Sequence, residues 1–388
     1  MKRITSIDFV RGLVMIIMAL DHVRDFTHIN ASTQSPTDLA TTTPALFFTR
    51  WITYLCAPTF VFLAGTSAYI SFKNQNNLSK SRAFLLKRGI WLILLEFTLV
   101  NFALWFDLGF HNFIFEVIAA IGFGFIILSL MLKLPIKIVG VIGIIIIFFH
   151  NLLPLIPFAE GSIIKTFITP FFGMAVYPII SKTILIIGYP PIPWLGIMLA
   201  GFATGQLFEL NEIKRNNLFM KIGIGAILLF IILRFINIYG DPSVWALQKD
   251  GLFTFLSFMN ITKYPPSLLF CLITLGIMFL KLSYSDKING RIKNIAIVYG
   301  KVPLFYFLIH FYLAHIIMVC IIFSQGFHWA DMDFASGSFG RPKGVQSGVE
   351  LWLIYVIWLG IVVALYPVCK WYGNYKMVHK EKTWLRYL

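Results

Sequence analysis

The sequence predicts an all-α integral membrane protein, a polytopic bundle of about ten transmembrane helices. The chain has 388 residues, of which 58% are hydrophobic, and its mean hydropathy is +0.81. Only 13% of its residues are charged, whereas a soluble protein carries about 25%. These observations exclude a cytosolic enzyme with a single core, a disulfide-rich secreted domain and a disordered chain.

Ten apolar segments are long enough to cross a bilayer, which takes about 20 residues per helix. Backbone groups in lipid must be hydrogen-bonded within the protein, so segments of this length are predicted to be helices and not strands of a barrel. No linker or repeat divides the chain, and we interpret residues 1–388 as one transmembrane domain. The predicted spans are 7–27, 46–72, 84–106, 112–132, 135–154, 183–208, 218–239, 265–282, 301–323 and 350–369.

The distribution of basic residues predicts the orientation of these spans. With an even number of crossings both termini lie on one side of the membrane, and 23 of the 32 Lys and Arg residues fall on that side. Basic residues are concentrated on the cytoplasmic side, so we predict a cell-membrane protein with both termini in the cytoplasm. The net charge of +15 would suggest nucleic acid in a soluble protein, but that needs one basic face, and we expect no nucleic-acid partner.

The first span begins with a basic and apolar stretch that resembles a signal peptide. It ends in Asp21 and His22 and not in a small-residue cleavage site, so we expect it to be retained. Near its start, Asp8 and Arg11 are three residues apart and can pair on one helix face. One interpretation is an ion pair that anchors the helix, and the other places Arg11 beside an anionic cofactor.

Residues 21–28, here called the first-span cluster, are the densest group of ionisable side chains in an apolar context. A charge in the middle of a bilayer costs roughly 2.5–3.5 kcal/mol, so the cluster needs an explanation. In a helix, Asp21, Asp25 and His28 share one face, and His22 reaches Asp25. A carboxylate beside an imidazole orients a general base, which favours a catalytic role over a structural one.

Later spans carry isolated charges and proline-marked breaks. Glu96, Glu116 and Arg234 are expected to pair across the bundle, as charges within membranes usually do. Proline interrupts the sixth span within residues 189–194 and opens the eighth within 263–267. One interpretation is helix initiation; the other is a cavity wall that faces the first-span cluster, since a broken membrane helix needs protein or a cavity to satisfy its backbone.

Neither a metal site nor a disulfide framework is expected. His310 and His315 are five residues apart and do not share a helix face, although one of them remains a candidate for an interior hydrogen bond. The four cysteines each stand alone in a predicted span, with no paired spacing. They are Cys56, Cys271, Cys320 and Cys369.

Two loops predicted to lie outside are rich in polar residues. Loop 28–45 has hydroxyls, amides and Asp38 but no Lys or Arg, and loop 240–264 mixes Asp241 with aromatic residues. Apolar surface with a few placed polar groups suits a sugar, so Asp38 and Asp241 are candidates for substrate binding. A solvated connector is the alternative, and composition alone favours it.

Six stretches in sequence order resemble one protein family. They are SIDFVRGLVMIIMALDHVRDF from Ser6, PTDLATTTPALFFTRWITYLCAPTFVFLAG from Pro36, YPPIPWLGIMLAGFATG from Tyr189, TKYPPSLLF from Thr262, GKVPLFYFLIH from Gly300 and LWLIYVIWLGIVVALYPVCKW from Leu351. Together they resemble bacterial members of the heparan-α-glucosaminide N-acetyltransferase catalytic-domain family, within a wider set of transmembrane acyltransferases. Each motif is loose, and their order and spacing from about Ser6 to Leu388 carry the resemblance.

This resemblance implies transfer of an acetyl group from cytoplasmic acetyl-CoA to an amino sugar or other glycan group on the far side of the membrane. It also implies a polar residue and a histidine near the outer end of the first span. The Asn of eukaryotic members falls opposite Asp21, and the nearest match to the catalytic histidine is His28, across a gap. His22 stands where the eukaryotic pattern has no histidine, so the base is either His22 or His28, with Asp21 or Asp25 as its orienting group.

Acyl transfer needs a base and a group that stabilises the oxyanion, and it needs no metal. Arg24 is expected near the oxyanion, and Arg11 and Lys301 are expected near the phosphates of acetyl-CoA. Direct transfer and an acetyl-histidine intermediate both stay open. The expected partners are the lipid bilayer and a glycan or glycolipid acceptor, with a homodimer as one option for assembly.

The alternative function is a proton-coupled transporter or flippase of a sugar or lipid-linked substrate. In that case the first-span cluster would be a proton relay. Inverted repeats would favour a transporter, and none is evident in the sequence.

Overall fold

The computed structural model describes residues 4–31, 33–157, 159, 161–180 and 182–387. Lys2 and Arg3, two of the basic residues counted above, lie outside the described residues. The helices are α1 (Thr5–Thr27), α2 (Pro44–Thr53), α3 (Cys56–Gln75), α4 (Leu78–Leu95), α5 (Asn101–Trp105), α6 (Val117–Met131), α7 (Ile136–Phe149), α8 (Ile163–Phe172), α9 (Pro191–Thr204), α10 (Glu212–Ile236), α11 (Gly251–Met259), α12 (Leu268–Ser285), α13 (Arg291–Lys301), α14 (Pro303–Ser324) and α15 (Leu351–Val378). The strands are β1 (Asn112–Phe115), β2 (Ala175–Ile180) and β3 (Thr183–Ile187).

Each predicted span contains a helix, and the fold is the predicted all-α polytopic membrane bundle. In the described part of the chain, seven helical stretches are long and apolar enough to cross a membrane. They are α2 with α3, α7, α9, α10, α12, α14 and α15, where short 3₁₀ turns extend α7 and α9. The other predicted spans correspond to α1, which carries five charged residues, to α4 with its π-helical extension, and to α6, which has 15 residues.

The structure corrects the beginnings of two predicted spans. Residues 112–115 and 183–187, which were predicted to be helical, form strands β1 and β3. β3 lies in the middle of a three-stranded sheet, parallel to β1 and antiparallel to β2. Periodicity does not separate a short apolar run in a strand from one in a helix, and the Ile-rich β3 favours a strand.

This small sheet brings two side chains to one cavity. Glu116 directly follows β1, and Gly188 and Tyr189 follow β3. The backbone N–H groups of Gly188 and Tyr189 both donate to the Phe115 carbonyl at 3.1 Å. Because the parallel strands β1 and β3 end at the same edge, Glu116 and Tyr189 reach the wall of the same cavity.

Helix α1 is central and contacts α2, α3, α12, α13, α14 and α15. Its N-terminal half packs on α13 through two glycines. A Cβ atom on Gly12 would lie 1.7 Å from the Ala296 carbonyl oxygen, and a Cβ atom on Gly300 would lie 1.8 Å from the Asp8 carbonyl oxygen. Any larger residue would push the helices apart, so these glycines fix the position of Arg11 on α1.

The segment between α14 and α15 covers the C-terminal end of α1. Arg341 is 2% exposed, and its guanidinium donates to the carbonyls of Phe26, His28 and Ser347. Burial lowers the pKa of Arg341 to about 10, so it stays cationic at neutral pH. Arg341 thereby satisfies carbonyls that the helix end leaves without intrahelical partners.

Candidate active site

A cavity of about 120 Å³, here called the histidine cavity, lies at the C-terminal end of α1. Its wall combines carboxylates, a histidine, a lysine and six aromatic rings. The lining residues are Asp21, His22, Asp25, Phe26, Leu104, Trp105, Ile114, Glu116, Tyr189, Lys263, Tyr264, Phe311 and Phe339. Three members of the first-span cluster that were predicted to be catalytic, Asp21, His22 and Asp25, therefore meet at one cavity.

The proline-marked segments form part of the wall, as one of the two interpretations expected, and Pro191 also begins α9, as the other expected. Tyr189 lies just before α9, and Lys263 and Tyr264 lie before α12. The Lys263 ammonium is 4.9 Å from the centroid of the Tyr264 ring and 5.8 Å from that of Tyr189. Lys263 is 6% exposed, and no carboxylate among the described residues lies within ion-pair distance of it. A buried cation thus faces the cavity.

An ion cluster holds Asp21. Arg50 of α2 donates to one carboxylate oxygen at 2.5 Å, and Arg24 lies 2.8 Å from the other. Arg24 also pairs with Asp25 at 2.5 Å. Two cations thus balance two carboxylates largely away from water. Arg50 has no role in the sequence predictions, although an arginine inside an apolar span is itself a signal.

Among the described residues, the ring of His22 is hydrogen-bonded to a second histidine, His310 of α14, and to no carboxylate. The His22 Nδ1 and His310 Nε2 atoms are 2.6 Å apart, and His310 Nδ1 is 2.9 Å from the Tyr306 carbonyl oxygen. His310 is fully buried, whereas His22 is partly exposed and lines the cavity. His310 is therefore an interior hydrogen-bonding residue, a role for which the sequence left either His310 or His315 as the candidate.

A second cavity of about 310 Å³, here called the arginine cavity, lies beside the N-terminal half of α1. Most of its wall is apolar, with contributions from α1, α3, α4, α6 and α14. Its polar lining residues are Arg11, Arg88, Ser67 and Ser71. From the sequence, Arg88 is only one of the 23 basic residues assigned to the cytoplasmic side, because its position on the wall depends on the rotation of α4.

Arg11 is the predicted phosphate partner that reaches this cavity. Its guanidinium donates to the Ser67 hydroxyl at 3.0 Å and to the Gly300 carbonyl at 3.4 Å. It lies 3.9 Å from the Asp8 carboxylate, which confirms the predicted pair. Lys301, the other predicted partner, ends α13 and is not among the described residues that line the cavity.

Two neighbouring rings of α14 each line one of the two cavities, and the ring of His22 lies beside both of them. Phe307 lines the arginine cavity and Phe311 lines the histidine cavity. Their ring centroids are 5.0 Å apart, and that of His22 is 6.2 Å from Phe307 and 4.0 Å from Phe311. Arg11 and His22 are eleven residues apart, about 16 Å along a helix. The ring of His22, on the wall of the histidine cavity, is therefore a near neighbour of a ring on the wall of the arginine cavity.

His28 lies at the end of α1, and neither cavity includes it among its described lining residues. It is 7% exposed, and its Nδ1 atom accepts a hydrogen bond from the Asn30 N–H at 3.3 Å. Burial, and next the nearby Arg24, lowers the pKa of His28, so the ring is neutral at neutral pH. A catalytic role of His28 stays a prediction.

The two predicted substrate-binding carboxylates use their oxygens within the protein. Asp241 accepts hydrogen bonds from Ser243, Thr262 and Ser267, which fixes the segment that carries Lys263. Asp38 accepts from neighbours in its own loop. Neither carboxylate belongs to the described lining of the two cavities, and their contact with substrate stays a prediction.

The expected pairing of Glu96, Glu116 and Arg234 across the bundle is wrong, because no ion pair among the described residues joins any two of them. Glu96 accepts a hydrogen bond from the Ala119 N–H at 2.8 Å, in the first turn of α6. Arg234 donates to the carbonyls of Ser243, Ser257, Phe258 and Asn260. Helix ends and loops leave backbone N–H and carbonyl groups unbonded. Glu96 and Arg234 bond to such groups instead of to the expected charged partners.

The fold and the site define a polytopic membrane protein with two cavities along its first helix, one of which is lined by an imidazole. A family model described as "Heparan-alpha-glucosaminide N-acetyltransferase, catalytic" matches residues 3–243. The chain belongs to this family of transmembrane acetyltransferases, as its sequence motifs indicated. A search of curated proteins finds no match.

Proposed function

We propose that the protein transfers an acetyl group from acetyl-CoA in the arginine cavity to an amino sugar or other glycan group in the histidine cavity. The observation that carries this proposal is that His22 lines the histidine cavity while its ring lies 6.2 Å, between centroids, from Phe307 on the wall of the arginine cavity. Membership of an acetyltransferase family supports the reaction class. The two cavities on opposite halves of α1 support two substrates that arrive from opposite ends of the bundle.

The arginine cavity suits a donor with a long, weakly polar arm and an anionic head. Its apolar wall, which includes Phe60 and Leu304, would enclose the arm of acetyl-CoA. Arg11 and Arg88 would bind the phosphates, because guanidinium groups form charge-assisted hydrogen bonds with phosphate oxygens. Lys301, at the end of α13, is proposed as a further cation for the same head group.

The histidine cavity suits an acceptor that has both apolar ring faces and polar groups. Tyr189, Tyr264 and Phe311 would pack against a sugar ring, in a site of apolar surface with few polar groups. The carboxylates of Asp25 and Glu116 would accept hydrogen bonds from amine or hydroxyl groups. The Asp25 side chain is 45% exposed, so it remains accessible beside Arg24.

Direct transfer then uses His22 as the general base. The amine nitrogen or hydroxyl oxygen of the acceptor forms a bond to the thioester carbonyl carbon, and its proton passes to His22 Nε2. The carbon–sulfur bond breaks, and the same proton passes to the thiolate of CoA. General acid–base catalysis of this kind contributes about 10²–10⁴-fold to a rate.

Lys263 is proposed as the cation that stabilises the developing oxyanion. Arg24, which the sequence suggested for this role, already binds Asp21 and Asp25. The Lys263 ammonium instead faces the cavity over two tyrosine rings. A charge fixed at a site with little water stabilises an oxyanion strongly.

The orientation follows from charge. The basic residues near the ends of α3, α4 and α13 lie at the same end of the bundle as Arg11 and Arg88, and an excess of such residues favours the cytoplasmic side. Acetyl-CoA would therefore enter from the cytoplasm, and the acceptor would enter from the outer side.

The reaction is tested with purified protein in nanodiscs, acetyl-labelled CoA and glucosamine as acceptor. His22→Gln is expected to lower turnover by at least about 100-fold, while the matched variant His28→Gln keeps it. The opposite result would assign the base to His28. No CoA release from the native protein, together with proton-coupled solute uptake in liposomes, would favour the transporter alternative.

A further inference from the structure

We propose that His310 is a positioning residue that fixes the tautomer of His22, with the ring proton on Nδ1 and the free lone pair on Nε2. The proposal rests on the proposed function and adds a residue to it. It explains why a fully buried histidine of α14 points at the cavity histidine of α1.

His310 is hydrogen-bonded to the backbone of its own helix. Its Nδ1 atom lies 2.9 Å from the Tyr306 carbonyl oxygen, which can only accept, so Nδ1 carries a proton. The described contacts of this ring are His22 and the aromatic rings of Tyr306, Phe307 and Phe311. A second proton would leave a buried charge without a counter-ion, which is costly. His310 is therefore neutral, with its lone pair on Nε2.

That lone pair determines where His22 holds its proton. The His310 Nε2 atom must accept, so the His22 Nδ1 atom, 2.6 Å away, must donate. A neutral imidazole carries one ring proton, and the Nε2 atom of His22 is then unprotonated. Without His310 as the acceptor, this hydrogen bond would no longer hold the neutral ring of His22 in one tautomer.

The same contact supports His22 during turnover. When Nε2 takes the proton from the attacking amine or hydroxyl, His22 becomes an imidazolium, and its Nδ1–H bond to His310 becomes charge-assisted. When the proton moves on to the CoA thiolate, the resting tautomer returns. In Ser-His-Asp triads a carboxylate holds the histidine in this way; here Asp21 and Asp25 are bound by arginines, and a neutral imidazole takes that position.

Kinetics of two His310 variants test the role. His310→Phe removes the acceptor and keeps a ring, and it is expected to lower kcat by about 10²–10⁴-fold, as loss of a histidine's orienting partner does elsewhere, with KM for acetyl-CoA unchanged. His310→Gln should restore most of kcat, because the amide oxygen can accept from His22 Nδ1. A folded His310→Phe protein with native kcat would overturn the proposal.

A matched control separates positioning from packing. His315 lies on the same helix and is fully buried, but its nitrogens lie 2.9 Å from the Ala103 carbonyl and 3.1 Å from the Phe339 carbonyl. His315→Phe should lower thermal stability without the kcat loss of His310→Phe. Equal kcat losses in both variants would reduce His310 to a packing role.

The tautomer is also read directly by NMR of ¹⁵N-histidine-labelled protein, with the His22 signals identified by their loss in His22→Gln. The native protein is expected to show His22 protonated on Nδ1, and His310→Phe to shift protons to Nε2. A native His22 protonated on Nε2 would overturn the proposal. If the native protein transfers no acetyl group, the proposed function fails, and this spectrum still decides the role of His310.

Discussion

Among single residues, the charges near α1 fall into two groups with different physical meaning. Arg24 pairs with both Asp21 and Asp25, and Arg50 pairs with Asp21, so these four charges sum to zero. The pair of Arg50 with Asp21 also holds α1 against α2. Lys263 faces the histidine cavity with aromatic rings as its described partners. A buried cation of this second kind is available to act on a substrate.

Replacing Lys263 tests its role at the oxyanion. Lys263→Met keeps the length of the side chain and removes the charge, and kcat should fall by about 10²–10³-fold, as on loss of an oxyanion donor. Lys249→Met is the matched control, because Lys249 also lies over a ring, 3.6 Å from the Phe253 centroid, but on an exposed surface. Similar activity of the two variants in the acetyl-transfer assay would exclude the oxyanion role.

His28 makes stability depend on pH. Burial, and next Arg24, holds its pKa below the ordinary value of 6.5, so on acidification the unfolded chain binds a proton before the folded one. Stability from this group is present above the unfolded pKa and is lost as pH falls below it. His28→Gln should therefore lose less Tm than the native protein between about pH 8 and about pH 5.

Thermal unfolding in detergent at both pH values measures this difference. The value at the higher pH serves as the internal control, because the imidazole is neutral there in both folded and unfolded chains. An equal Tm loss in variant and native protein would contradict the prediction.

The candidate site was predictable where the signal is local. An ionisable residue within an apolar run is conspicuous in the sequence. For this reason Asp21, His22, Asp25 and Arg11 could be selected as candidate site residues from the sequence alone. The partner of His22 was not predictable, because the bond to His310 joins residues 288 positions apart. It depends on the rotation of two helices, and sequence periodicity without a strong polar face does not fix that rotation.

Among whole elements, the contact between α1 and α13 depends on glycine. Gly300→Val would place side-chain atoms on the Asp8 carbonyl and should destabilise the protein by about 3 kcal/mol, near the upper end for overpacking. Because α1 carries Arg11, KM for acetyl-CoA should also rise. Thermal unfolding and steady-state kinetics measure both effects.

Gly225→Val in α10 is the control for that change, since a Cβ atom there meets nothing within 4 Å. It introduces the same β-branched residue into the interior of another helix. If Gly225→Val destabilises as much as Gly300→Val, helix propensity and not close packing causes the loss.

Elements of the fold were predictable where an apolar run is long. In lipid, a run of about 20 apolar residues satisfies its backbone hydrogen bonds mainly by forming a helix. Each such run in this chain contains a helix. The runs at β1 and β3 have four and five residues, and pairing between distant segments determined their structure. Helices α8, α11 and α13 were not predicted, because they lie in loops between the apolar runs or are too short to span a membrane.

For the whole molecule, the orientation is testable by labelling with a membrane-impermeant maleimide. Ser35 and Ser79 are exposed, on the loop after α1 and at the start of α4. In intact cells Ser35→Cys should react and Ser79→Cys should react only after permeabilisation. Native Cys320 is exposed, so Cys320→Ser is the background for both variants, and the reverse pattern would put the arginine cavity on the outer side.

The arrangement of His22, Phe307 and Phe311 has a consequence for how the membrane potential affects the reaction. As the acetyl group leaves sulfur toward the acceptor, a proton travels from the acceptor to sulfur, so an acylium equivalent moves one way and a proton the other. The two movements of positive charge cancel. A transmembrane voltage, which is worth about 2.3 kcal/mol per charge per 100 mV, therefore does no net work over the reaction cycle. Turnover in vesicles should therefore stay constant when a potassium diffusion potential is imposed, whereas a proton-coupled transporter that carries net charge would respond to it.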